Sequence, residues 1–341
     1  MKDFYFIFYP IGPLYIKTLT VTFKYLPKEA NVIVMTSTPE LLKDIKVDFN
    51  LIVLDIDDIV DDFSKQYEPV IKETNDDLYI QKLRENIDNN IRFPYGKHRY
   101  IIPWLLERDI TKFVILDSDC LINYNNELEP ILNHFEEKYG DTNLLFGPPM
   151  AWTYNVDMAY ESFKDIFNKY NIDLNIFPSL NNKITVFDGW MRGFYFKDKE
   201  LLKLYFNLWD EILKKAYELD YISLYDMSNR VAHDEWVTGL LNEIMTKQFN
   251  AELKDVVYDV DSKTDKHGKR LCKHIYHPEN DYWELHHQTL YVGRYNLEIG
   301  ESRKDFFQKN KEKLITFYAD QNSIEEQKIK EIIYDYEYLN S

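Results

Sequence analysis

The chain has 341 residues, of which 45% are hydrophobic and 16% aromatic, with only Gly 10 and Pro 12. That composition excludes disordered, collagen-like and low-complexity chains. A net charge of −17 excludes the basic footprint of sequence-independent nucleic-acid or anionic-membrane binding, and two cysteines, Cys120 and Cys272, are too few for a disulfide framework. In chain order, short apolar runs at residues 4–9, 31–35, 51–54, 113–116 and 144–146 read as strands. Between them, residues 14–25, 39–46, 76–90, 100–106 and 126–139 read as helices, the second with Pro39 in its first turn. This alternation implies an α/β fold with a mainly parallel sheet flanked by helices. The second half is more mixed. Strands are expected at 184–187, 193–196 and 256–258 and an extended stretch at 283–292, with helices at 198–219 and 234–247. Residues 259–281 read as a polar surface loop, and 303–318 and 324–339 as charged helices. The expected organisation is one domain over 1–300 with a helical C-terminal extension over 301–341.

No run approaches the roughly 18 apolar residues of a membrane helix. The N-terminus lacks the long apolar region and small-residue cleavage site of a signal peptide. The expectation is a cytoplasmic protein with reduced thiols, no integral membrane segment and no nucleic acid among its partners.

Chemistry concentrates at Phe113-Val114-Ile115-Leu116-Asp117-Ser118-Asp119. A buried strand that ends in two carboxylates places them where ligands bind in open α/β sheets. Two such carboxylates can share a hard cation, Mg²⁺ or Mn²⁺, that keeps positions for water and substrate phosphate. The bland alternative is a polar strand end capping the next turn. Leu51-Ile52-Val53-Leu54-Asp55-Ile56-Asp57 has the same form and resembles the first motif of the haloacid dehalogenase phosphatases, although Ile59 stands where that family has Thr or Val. That resemblance implies a Mg²⁺-dependent phosphohydrolase using Asp55 and Asp57. An acidic helix start is its plain alternative.

Upstream of Asp117 the order Arg99-Tyr100-Ile101-Ile102-Pro103-Trp104-Leu105, a short turn, an apolar strand and Asp117-Ser118-Asp119 resembles the GT-A glycosyltransferases. The likeness is strongest to the retaining family that includes glycogenin and the lipopolysaccharide galactosyltransferases. It implies a GT-A nucleotide-sugar-binding fold and transfer of a hexose from a nucleotide diphosphate sugar, UDP favoured, to a hydroxyl of a carbohydrate or glycoconjugate acceptor. A catalytically inactive carbohydrate-binding relative is a further alternative. In this resemblance Asp117 and Asp119 hold Mn²⁺ or Mg²⁺ and the donor ribose region, and Arg99, with Lys97, assists the diphosphate. Val186-Phe187-Asp188-Gly189-Trp190 resembles the family's Phe-Asn-x-Gly segment, with Asp188 in place of Asn and the glycines displaced. Asp188 would serve sugar hydroxyls and Trp190 the ring face; the alternative is a Gly-rich turn between core strands.

His233-Asp234-Glu235 resembles the family's acidic helix start, which is equally an ordinary N-cap. Asp234 would face the donor sugar, and Glu235 is the base candidate if the reaction inverts. The family's third metal ligand, a His, is offered by His286 or His287, which alternate on a strand so that at most one ligates. His274 and His277 are rivals. Cys272-x-His274-x-x-His277 mimics half a zinc site without a second pair to complete it. No Gly-x-Ser-x-Gly, P-loop or Gly-x-Gly-x-x-Gly occurs, so phosphate handling would use a metal and scattered basic residues.

Overall fold

The computed structural model describes residues 3–10, 13–24, 28–36, 38–59, 97–118, 120–122, 136–147, 149–153, 156–176, 183–187, 191–218, 233–254, 257–258, 269–270 and 272–274, with residues 26, 133, 327 and 330. Strands are β1 Tyr5–Phe8, β2 Asn31–Thr36, β3 Asn50–Asp55, β4 Lys112–Leu116, β5 Cys120–Ile122, β6 Asn143–Phe146, β7 Pro149–Thr153, β8 Lys183–Phe187, β9 Met191–Phe196, β10 Glu252–Lys254, β11 Val257–Tyr258, β12 Lys269–Arg270 and β13 Cys272–His274. Helices are α1 Pro13–Lys24, α2 Ile56–Ile59, α3 Lys97–Glu107, α4 Val156–Lys169, α5 Lys199–Glu218 and α6 His233–Phe249.

Seven strands form one sheet in the order β3-β2-β1-β4-β9-β6-β10. The pairings β3–β2, β2–β1, β1–β4 and β6–β10 are parallel, and β9 runs antiparallel to both β4 and β6. The expected α/β fold with a mainly parallel sheet is therefore present. β1, β2 and β4 are apolar and almost wholly buried along their length because helices cover both faces. Alternation divides their side chains between two cores. Ile7, Ile33, Phe113, Ile115, Phe194 and Phe196 face a core shared with α3, α4, α5 and α6. Phe6, Phe8, Val32, Val34, Val114 and Phe146 face a second one, closed by Ile16, Leu19 and Phe23 of α1.

Helix ends reverse the chain by local chemistry. Asp109, Asn171 and Asn250 have φ of 56°, 54° and 55°, the left-handed cap conformation, and follow α3, α4 and α6. At two of them the last turn closes with a six-to-one bond, Ile110 N to Leu105 O at 3.0 Å and Ile172 N to Phe167 O at 2.8 Å. Asp198 caps α5, its Oδ1 accepting from the Glu200 and Leu201 amides at 2.9 and 3.1 Å.

Three expectations change. The helix expected over 39–46 is a single 3-10 turn at Pro39–Leu42. The expected loop at 259–281 contains β12 and β13, paired to β11 and β5. Helix α4 and strands β5, β7 and β10 stand where no element was expected. The helix at 76–90, the stretch at 283–292 and the extension over 301–341 lie outside the described residues, except for residues 327 and 330, which are helical. Among the described residues no helix is long and apolar enough to cross a membrane.

Candidate functional site at the carboxyl edge of the sheet

Strand order defines where a ligand crevice forms. From β1 the chain proceeds to β2 and β3 on one side and then returns to β4 on the other. The carboxyl ends of β1 and β4 therefore flank a topological switch point, the place at which open α/β sheets bind ligands. Phe8 pairs with both Leu116 and Val34, which sets Tyr9 and Asp117 side by side at the two strand exits. Asp117 is partly exposed and Ser118 is buried at 4% exposure. Asp119 lies outside the described residues.

Both exits are tied down from behind. Thr22 of α1 donates its hydroxyl to the Ser118 carbonyl at 2.9 Å, and Thr36 at the end of β2 donates to the Pro10 carbonyl at 3.0 Å. Tyr9, 4% exposed, has its phenol pushed well above the ordinary value by burial, so it remains a neutral hydroxyl at working pH.

Sequence-distant segments arrive at this same edge. A short turn links α3, which begins at Lys97 and carries Arg99 in its first turn, to β4. That first turn holds no acidic residue. Pro103 inside the helix donates no hydrogen bond, which leaves the Arg99 carbonyl without its usual helical donor. α6, which begins at His233 and carries Asp234 and Glu235 in its first turn, leads through Asn250 into β10, which is parallel to β6. β9 is antiparallel and begins at Met191 opposite Leu116. The chain thus enters β9 beside the Asp117 turn; Asp188 and Trp190 precede that entry in sequence and lie outside the described residues.

Of the named histidines, His286, His287 and His277 lie outside the described residues. His274 lies within them, on β13, opposite Cys120 on β5. That antiparallel ribbon starts one residue beyond Asp119, so the pairing brings the 272–274 segment to the carboxylate turn.

The rival pair is set elsewhere. Asp55 ends β3, the edge strand of the sheet among the described residues, and Asp57 follows in α2. Three strand spacings separate β3 from β4, roughly 14 Å at ~4.8 Å each, so Asp55 and Asp117 cannot share one cation.

Among the described residues, which do not include Asp119, His286 or His287, no three His, Cys, Asp or Glu side chains gather as a metal site. The oxygen donor of Asp117 suits a hard cation such as Mg²⁺ or Mn²⁺. Sequence reasoning passed over the Thr22 and Thr36 anchors. Nothing marks a threonine on an apolar helix face as the partner of a residue 96 positions away. No protein-family model and no curated protein matches the chain.

Proposed function

We propose that the chain is a GT-A-fold, metal-dependent glycosyltransferase. It moves a hexose from a nucleotide diphosphate sugar, UDP favoured, to a hydroxyl acceptor with retention. The observation that carries this reading is Asp117 at the carboxyl end of β4, beside the exit of β1 at the switch point of the sheet. A phosphohydrolase centred on Asp55 lacks that support, because among the described residues β3 lies at the end of the sheet, away from the switch point.

In this reading Asp117 and Asp119 hold the divalent cation, and a histidine completes the set. His286 and His287 are candidates from the sequence, and the β5–β13 pairing adds weight to His274. The bound cation supplies charge stabilisation for the leaving diphosphate. Arg99 and Lys97 neutralise the same phosphates from the start of α3. Asp188 accepts from sugar hydroxyls, Trp190 covers the ring face, and Asp234 orients the donor sugar.

A panel of nucleotide sugars tested for slow Mn²⁺-dependent hydrolysis checks the proposal without knowledge of the acceptor. Turnover of one donor supports it. Nucleotide binding without any hydrolysis would favour an inactive carbohydrate-binding relative.

The stereochemical course gives a separate prediction. In a retaining enzyme the leaving diphosphate takes the acceptor proton, so Glu235→Gln should keep kcat within about threefold. An inverting enzyme would lose its general base and about 10² to 10⁴ in rate. Proton NMR couplings of the product report the anomeric configuration independently. A β-linked product from an α-linked donor would transfer the catalytic role to Glu235.

A further inference from the structure

The two strand exits that flank the switch point share a feature that nothing in the proposed chemistry requires. Each has a backbone carbonyl held by a threonine hydroxyl from a neighbouring element. Thr22 is fully buried and Thr36 is 2% exposed. Their bonds to Ser118 O and Pro10 O span 96 and 26 residues of sequence. Thr22 donates across the layer to the Ser118 carbonyl, which lies between the two carboxylates in sequence, and the Thr36 hydroxyl oxygen also accepts from the Thr38 amide at 3.3 Å.

The consequence follows from peptide geometry. The Ser118 carbonyl belongs to a planar unit with the next amide, and rotation about that bond is blocked. Holding the oxygen fixes the plane from which the following residue leaves. Thr36 does the same for the opposite exit, after Tyr9.

We infer that Thr22 and Thr36 are positioning residues that pre-set the two lips of the switch-point crevice for a divalent cation and its nucleotide diphosphate. This rests on the glycosyltransferase reading. The two threonines touch neither metal nor donor. They act by keeping Asp117 and its neighbours in place before a ligand arrives, so that binding does not bear the ordering of the turn.

The fold supplies a matched control. Thr111 donates its hydroxyl to the Phe196 carbonyl at 2.7 Å, the same kind of bond at the amino end of β4, away from the crevice. Thr22→Val, Thr36→Val and Thr111→Val each remove one hydroxyl while keeping branched shape. All three should lower the melting temperature. Only the first two should weaken Mn²⁺-dependent UDP binding in calorimetry, by about five- to tenfold, the equivalent of one lost buried hydrogen bond. Thr22→Ser, which restores the donor, should recover most of that affinity.

Hydrogen–deuterium exchange of the free protein reads the positioning itself. Exchange in the peptide covering 113–122 should accelerate in Thr22→Val and stay at the wild-type rate in Thr111→Val. Unchanged exchange there overturns the inference whatever ligand the protein takes. So does equal loss of affinity in all three variants, or wild-type affinity in Thr22→Val. A wild-type protein that binds no Mn²⁺–UDP, yet shows the exchange pattern, would overturn the glycosyltransferase reading and leave Thr22 as the anchor of the turn alone.

Discussion

Asp117→Ala is expected to abolish Mn²⁺-dependent UDP binding while the protein stays folded. Its carboxylate stands at the end of a strand whose four preceding residues are buried, so its position is set by the sheet. Outer residues that merely support a metal ligand cost 10- to 100-fold in affinity when removed, so losing a ligand should cost about 100-fold or more. The side chain is partly exposed and belongs to neither core, so its removal should leave the far-ultraviolet circular dichroism and the unfolding midpoint near wild type. Asp119→Ala should behave alike. Asp55→Ala is the internal comparison, three strands away, and should bind Mn²⁺–UDP as the wild type does. Calorimetry with and without Mn²⁺ separates the metal-dependent part. If Asp55→Ala lost nucleotide or phosphate-analogue binding and Asp117→Ala did not, the phosphohydrolase reading would lead.

The parts of this site that were legible in sequence are those written in local pattern. An apolar run followed by Asp117-Ser118-Asp119 gives the strand and the carboxylate at its exit. Arg99 and Pro103 mark the preceding helix, and the fold places them on the neighbouring element. Helix α4 went unread, although Phe163, Ile166 and Phe167 stand at three- and four-residue spacing within it. What local pattern does not carry is pairing between distant segments. The insertion of β9 between β4 and β6 depends on contacts among strands about 50 to 80 residues apart, and period-two alternation is the same whichever neighbour a strand takes. The β5–β13 ribbon is harder still. Its strands are three residues each and more than a hundred apart, and the polar stretch around β13 reads as loop. Helix ends were blurred because Asp109, Asn171 and Asn250 occupy left-handed caps where glycine would have marked the stop.

Gly193→Ala is expected to be among the most destabilising single-methyl changes in the chain, at about 3 kcal/mol, the upper part of the range for overpacking a core. Gly193 sits in β9 between Val114 of β4 and Phe146 of β6. The Phe146 ring lies across the glycine, and an added Cβ would fall far inside van der Waals contact with its Cε1, Cε2 and Cζ carbons. The ring is fully buried and faces the Phe4 ring with centroids 6.5 Å apart, so any shift it makes must be accommodated by other core side chains. The need for glycine here is therefore steric. This separates two readings of the segment from Val186 to Phe196. If Gly193 shaped a sugar-binding turn, Gly193→Ala would lose donor affinity at nearly unchanged stability. The packing reading expects the reverse: a lower urea midpoint, with Mn²⁺–UDP affinity of the folded fraction close to wild type. A second substitution tests the cause. Phe146→Leu alone should destabilise by opening a cavity, and in the Gly193→Ala background it should cost less, because the methyl group fills that space. The coupling energy in this cycle should exceed about 1 kcal/mol, within the span seen for residues in direct contact. Additive effects would mean that the ring yields more easily than its burial implies. Strong coupling would identify the Phe146–Gly193 contact as the lock that keeps β9 between β4 and β6, and so keeps Met191 opposite Leu116 at the mouth of the crevice.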